Sequence, residues 1–430
     1  MRKTFPVHFF LFTAPLSVCT IAVPMIGSVL APLVLLVTVL FYLLYNKRYG
    51  RIYLSKVQGY VLDFYFLPMF FSLLSACVVL FLKNDPFYYK WFATDMMGRL
   101  AHVVIFLIIF LLTSQIIILN KKSIPNLITF LDSYAYGIFV ILGLFGFWQI
   151  LSTLTGIWCP DIDSRDYLYF ASSLNIKRVT SLADEPSYLV PFLLDAFFIF
   201  LFLKKNRIAV LLLILVLFSL SFAGYLELFL LSISALLLSN SRHKIKIVLI
   251  FLICGIIFLS IFSEEIQLVR DIISSRQELQ AGFSMKDTSR TAMIIYPLQS
   301  FFREGNFVSI LFGNGPGSFK YLFESHPDCL FTTSNCLYVD ILYEGGVLSI
   351  VCVGIMFLII WSIFSKLKVR IDKREMLIIR LFLIHFSLMA IYRGDYVSEH
   401  FFCVLLIIEI FYLILLNRNK CRYCSDGSLA

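Results

Sequence analysis

The sequence is short of charge. Only 15% of its 430 residues are Asp, Glu, Lys or Arg, while 60% are hydrophobic and mean hydropathy is +0.88. Soluble chains run near about 25% charged and about 45–50% apolar, so no soluble core hides this much apolar surface. No basic run exceeds three residues, which removes a nucleic-acid patch from a chain of net charge +9. No P-loop and no usable G-x-G-x-x-G occurs, which removes a soluble nucleotide site. Asp161 and Asp163 have D-x-D spacing, but they fall in a segment expected outside the cytosol, where nucleotide sugars are scarce. Cys421 and Cys424 have C-x-x-C spacing without a second pair or a nearby His, so no zinc site is read there. Cys159 and Cys329 are both expected outside; the alternatives are a disulfide in an oxidising exterior and two thiols. Internal repeats and low-complexity tails are absent.

What is there is apolar residues, 45 of them Phe, in unbroken blocks. Blocks of roughly 17–25 residues match the hydrocarbon slab. In that slab backbone polar groups must pair internally, which leaves helices and closed barrels. The ten-residue alternation of a barrel is missing. The fold class is therefore an all-α polytopic membrane protein. About twelve spans are expected, near 7–23, 29–45, 61–82, 100–119, 134–155, 188–203, 208–222, 224–239, 246–262, 338–365, 377–392 and 399–417. The stretch after Met1-Arg2-Lys3 runs straight into a second apolar block and is read as the first span rather than a cleaved signal.

With both termini in the cytoplasm, 22 of the 36 Lys and Arg residues fall in short cytoplasmic segments and 13 on the other side, Arg380 lying inside a span. Six of those 13 sit in one segment of about 75 residues, a length to which the positive-inside rule hardly applies. Residues 1–430 then form a single membrane domain with external loops 83–99, 156–187 and 263–337, the last partly helical and covering the site. Gly313-Asn314-Gly315-Pro316-Gly317-Ser318 is its clearest loop signal.

The candidate chemistry clusters at span ends on that side. Glu185 precedes Pro186 at the start of a span; it is either a helix cap or a site carboxylate. Arg178, Arg290 and Arg303 suit phosphate, because a guanidinium makes bidentate, charge-assisted bonds; the bland alternative is pairing with carboxylates or headgroups. Lys320 and His326 follow. Asp340 and Glu344, four residues apart, share one helix face, a costly arrangement at a membrane rim unless it meets a cation or a wet cavity. Asp63, Asp132, Asp195, Glu227, Arg380, His385 and Glu409 fall inside spans. Arg380 with Glu409 or Asp195 is the expected buried pair; each of the seven is alternatively functional.

Three ordered segments resemble the O-antigen and capsule repeat-unit polymerases, the Wzy-type group related to the O-antigen ligases. Arg178 to Ser187 is similar to R-x-x-G-x-x-x-E-P-S, with Ser181 in place of the glycine. Ser219-Leu220-Ser221-Phe222-Ala223-Gly224-Tyr225-Leu226 is similar to S-x-S-x-x-G-Y-L. Arg290, Gly313 to Gly317, Asn335 and Tyr343-Glu344-Gly345-Gly346 resemble R…G-x-G…(H)N-x-x-L-x-x-L-x-E-x-G, with Ser334 where ligases and some polymerases carry His. The resemblance implies a GT-C-like architecture of about 12 transmembrane helices, with the long external loop between helices 9 and 10, in the bacterial inner membrane with the active face periplasmic. It implies transfer of a growing glycan from undecaprenyl diphosphate to a lipid-linked repeat unit, independent of nucleotide sugars. Partners would be undecaprenyl-diphosphate-linked glycans, the bilayer and a chain-length regulator, without nucleic acid. Glu185 and Glu344 would be catalytic carboxylates, and Arg178, Arg290 and Arg303 the diphosphate ligands. Asn335, Asp340, Tyr343 and His326 would hold the acceptor, His326 standing in for the missing base. No cofactor or metal is expected, the arginines taking the metal's place. Rival readings are an O-antigen ligase, against which Ser334 counts, and a flippase or transporter, against which the missing repeat and the long loop count.

Overall fold

A computed structural model describes residues 4–19, 37, 40, 54–82, 85–160, 179–183, 185–239, 253, 290–325, 334–367, 372–393 and 396–426. Among them every regular element is a helix, and the one strand-like feature is an isolated bridge between Cys19 and Ala183. Thirteen helical elements are needed here: α1 (Phe5–Val18), α2 (Lys56–Leu82), α3 (Pro86–Leu119), α4 (Ile124–Thr155), α5 (Pro186–Phe202), α6 (Asn206–Phe218), α7 (Phe222–Leu238), α8 (Arg290–Glu304), α9 (Phe307–Phe312), α10 (Ser318–Ser325), α11 (Leu337–Lys366), α12 (Lys373–Tyr392) and α13 (Glu399–Asp426). Six of these, α2, α3, α4, α11, α12 and α13, are long and apolar enough to cross a membrane. The chain is thus an all-α membrane protein.

Local chemistry sets the starts. Ser55 and Gln58 form a reciprocal capping box ahead of α2. Asp85 caps α3 with Pro86 in its first position, Ser123 caps α4, Ser221 caps α7 and Asp372 caps α12. Residues 86–99, expected as a connecting segment, are instead the first turns of α3: Lys90, Asp95 and Arg99 lower the hydropathy without breaking the helix. Each of α2, α3 and α4 contains one π-turn, at Leu62–Phe66, Phe92–Met96 and Phe139–Gly143. A π-turn inserts one residue and re-aims the side chains beyond it. The expected spans 7–23, 188–203, 208–222 and 224–239 correspond to the shorter helices α1, α5, α6 and α7. At 1.5 Å per residue α6 runs only about 20 Å, short of a hydrocarbon core. The expected spans 29–45 and 246–262 lie outside the described residues, apart from Leu40, Ile253 and position 37.

Hydrogen bonds fix which helix ends lie together. At one end, called the mouth here, α6 meets the stretch before α5 (Val179 N to Phe218 O, 3.1 Å), and α11 meets α12 (Tyr338 Oη to Ser387 O, 2.8 Å). At the other, Lys205 pairs with Asp132 at 2.5 Å, Arg374 donates to Asn206 at 2.8 Å, and Arg418 pairs with Glu375. Helix α13 is the axle: Phe401 to Leu415 are buried almost without exception, against α1, α3, α4 and α12. Lipid is as apolar as leucine, so this core is held by close packing and internal polar bonds rather than by escape from water.

Candidate functional site

The mouth is built around a break in α11. Gly346 takes φ 73° and ψ −177°, a left-handed conformation that L side chains avoid. The break frees the carbonyls of Tyr343 and Glu344 from the helix ladder. The glycine loop takes them up: Asn314 N donates to Tyr343 O at 3.2 Å and Gly315 N to Glu344 O at 3.0 Å. A Cβ on Gly313 would collide with the Glu344 carbonyl, and one on Gly346 with the Gly313 amide, so both glycines are required by close approach. Ser72 of α2 also donates to the Glu344 carbonyl, Ser75 donates to Gly313 O at 2.9 Å, and Trp91 Nε1 donates to Gly317 O at 2.8 Å. Ser75 lies seven residues before the end of α2, so the loop docks roughly 10 Å below that end. Irregular backbone survives at such depth only when protein satisfies its polar groups, and these bonds do so.

The loop's outer neighbours stay apolar. Phe307 of α9 is 78% exposed and Phe302 of α8 is 58% exposed; Phe70, Phe71 and Leu74 of α2 are exposed too, with Phe312 of α9 against the Phe71 ring at 6.1 Å. On the polar side, α10 is pinned to α3 by Lys320–Asp95 at 2.5 Å and by Tyr321 donating to Asp85 at 2.7 Å. Burial, with Asp85 adding to it, pushes the Tyr321 phenol above its usual range.

The acidic pair faces inward. Glu344 is buried, and Tyr396 donates to its carboxylate. Tyr65 of α2 in turn donates to the Tyr396 carbonyl. The Arg99 guanidinium lies 4.9 Å above the Tyr396 ring, a cation–π contact to the same side chain that bonds Glu344. One turn earlier, Asp340 is buried with Ser334 Oγ 2.5 Å from its carboxylate. Asn335 adopts φ 53°, and Tyr188 donates to its side-chain oxygen at 3.4 Å. Arg393 donates to Tyr188 O at 3.0 Å and lies over the rings of Tyr188 (5.5 Å) and Phe192 (5.1 Å). Glu185 occupies the cap position of α5 but makes no cap bond; Ser187 Oγ donates to its carboxylate at 2.9 Å.

Of the residues singled out from sequence, Glu185, Asn335, Asp340 and Glu344 therefore gather at the mouth. Tyr343 is there too, with its ring packed against Phe301 and Phe319 at 6.1 and 5.7 Å. Arg303 is exposed at the end of α8. Arg290 opens α8 with its side chain outside the described residues; Arg178, His326 and Cys329 lie outside them altogether. Arg99, Arg393, Tyr188 and Tyr396 were not singled out. Arg393 and Tyr396 lie in the polar stretch Tyr392-Arg393-Gly394-Asp395-Tyr396 between two spans, whose composition marks a corner but not what the guanidinium faces; Arg99 and Tyr188 carry no such signal.

The expected pairing of Arg380 is corrected. Its guanidinium lies 5.8 Å over the Trp361 ring, while Glu409 accepts from Ser114 at 2.8 Å and Asp195 bonds to His385 and His400. Imidazoles from α12 and α13 reach Asp195 directly, and α12 turns Arg380 toward α11 instead. Among the described residues, no three His, Cys, Asp or Glu side chains are placed to share a metal ion.

No known protein family, curated protein or solved structure matches this sequence.

Proposed function

We propose that this protein is a repeat-unit polymerase for lipid-linked glycans, working at the external face of the bacterial inner membrane with both termini in the cytoplasm. An acceptor sugar hydroxyl on a lipid-linked repeat unit attacks the anomeric carbon of the growing glycan. The bond to the undecaprenyl diphosphate breaks, the diphosphate leaves with the electron pair, and a carboxylate takes the hydroxyl proton. Glu344 and Glu185 are the carboxylates assigned that role. Charge on the leaving diphosphate needs fixed cations. Arg178, Arg290 and Arg303 are assigned that role, and Arg99 and Arg393 add guanidinium groups at the same end. Asn335, Asp340 and Tyr343 flank the acceptor, with His326 from the neighbouring stretch. The energy is already stored in the sugar–diphosphate bond, so no ATP, nucleotide sugar or metal enters the scheme. A chain-length regulator in the same membrane is the expected protein partner.

One observation carries the reading. The G-N-G-P-G and Y-E-G-G segments, about 30 residues apart, are the two halves of one resembling pattern, and they lock together through Asn314, Gly315, Glu344 and Gly346. A second observation supports it: Ser181 stands where the pattern has glycine, and it takes φ 56°, the conformation glycine favours. Ser334 stands where ligases, and some polymerases, carry His, which counts against the ligase.

The test is the ladder of surface glycan. Cells lacking the protein should display a single repeat unit. Loss of a ligase would instead leave full-length polymer on its carrier, and loss of a flippase would strand subunits on the cytoplasmic leaflet. Arg290→Ala should abolish extension at unchanged protein abundance; normal long chains in that variant would reject the role given to Arg290.

A further inference from the structure

Beneath the mouth lies a chain of ionisable side chains buried between α4, α5, α7, α12 and α13. His385 of α12 is wholly buried, and both of its ring nitrogens face carboxylates: Nδ1 is 2.5 Å from Glu227 Oε1 and Nε2 is 3.1 Å from Asp195 Oδ1. Asp195 also accepts from Tyr134 at 2.8 Å and lies 2.7 Å from His400 Nε2. The second oxygen of Glu227 accepts from Tyr392 at 2.5 Å. Glu399 and Cys403 of α13 flank the group.

Two links run from this chain to the mouth. Tyr392 is the residue before Arg393. The His400 ring packs, tilted, against Phe192 at 4.1 Å, and Phe192 carries the Arg393 guanidinium on its ring. Arg393 then bonds Tyr188, whose hydroxyl meets Asn335.

A neutral imidazole offers one N–H and one lone pair, and a lone pair aimed at a carboxylate is repulsive. His385 between two carboxylates therefore needs hydrogen on both nitrogens. Asp195 accepts three hydrogen bonds, from Tyr134, His385 and His400. The His385 imidazolium and Arg393 are the cations set against the two carboxylates of this chain. Unbalanced charge at this depth is expensive, so removing either cation leaves the other side of the account unmet.

We propose that His385 is a buried imidazolium that acts as a positioning residue, clamping Asp195 to Glu227 and so fixing the Tyr392–Arg393 corner beside Tyr188 and Asn335. The role rests on the polymerase reading for its kinetic consequence; the protonation does not.

The test uses the full chain reconstituted in vesicles with undecaprenyl-diphosphate-linked repeat units. His385→Gln should raise KM for the lipid-linked unit about tenfold, with kcat within about threefold, because it displaces a binding corner and not the reacting groups. The charge-compensated double variant Glu227→Gln with His385→Gln should recover most of that KM. Tyr392→Phe, which removes one hydroxyl and keeps the ring, should raise KM about threefold and serves if His385→Gln does not fold. An unchanged KM in the single variants, or a double variant no better than His385→Gln, would overturn the positioning role. Nitrogen-15 NMR of the six histidines in the wild-type protein should show one ring protonated on both nitrogens at neutral pH, its signal lost in His385→Gln. A neutral His385 ring would overturn the imidazolium. If the wild-type protein extends no chains, the polymerase reading fails, and the NMR result still decides the bridge.

Discussion

The two ends of the helix array are held by different chemistry. The end opposite the mouth is closed by ordinary means: caps at Ser123 and Asp372, and partly exposed ion pairs of Lys205 with Asp132 and Arg418 with Glu375. The mouth spends backbone strain and buried charge. Gly313, Gly315, Gly317 and Gly346 are all left-handed there, as are Ser181, Leu220 and Asn335, whereas Lys204 is the one non-glycine residue of that kind at the other end among the described residues. Backbone strain costs about 1–3 kcal/mol per residue, and strain and buried ionisable groups both cluster where a site needs preorganised groups. The difference is what places the proposed site at the mouth rather than at the opposite end.

The comparison breaks most visibly at Gly346. Gly346→Ala adds a Cβ that meets the Gly313 amide at a left-handed φ, so a loss of about 3 kcal/mol is expected. Thermal unfolding in detergent would read it, and an unchanged Tm would remove the interlock from the account. Lys204→Gly at φ 62° is the control, expected to be neutral or stabilising by up to about 1 kcal/mol.

Next in size is Glu344→Gln. The amide still accepts from Tyr396 but takes no proton, so extension should fall at least about a hundredfold with abundance unchanged. Retained extension would move the base to Glu185.

The smallest effect belongs to the opposite end. Asp132→Asn loses an ion pair whose partners are about a third exposed, worth under about 1 kcal/mol, with chain extension unaltered. A large loss of extension there would erase the contrast between the two ends.

Much of this was legible in the residues themselves. The helical class follows from the apolar blocks, and the one-face placement of Asp340 and Glu344 from their spacing. Gly313 to Gly317 read as a loop, but its depth did not: that depends on Ser72, Ser75 and Trp91, more than 200 residues away in sequence. Charges misled in two ways. Lys90, Asp95 and Arg99 made helical turns look like a connector, and Arg380 looked like a partner for Asp195 or Glu409, which two imidazoles and Ser114 already hold. Arg99 and Arg393 escaped because a guanidinium over an aromatic ring leaves no local pattern; only the fold brings Tyr396, Tyr188 and Phe192 beneath them.

The most direct test places the purified full-length protein in vesicles with a single undecaprenyl-diphosphate-linked repeat unit as sole substrate, without nucleotide. Gel separation of the products should show a ladder for the wild type and one band for Glu344→Gln. A single band from active, folded wild-type protein, or the same ladder from Glu344→Gln, would contradict the mouth as the site of glycan extension.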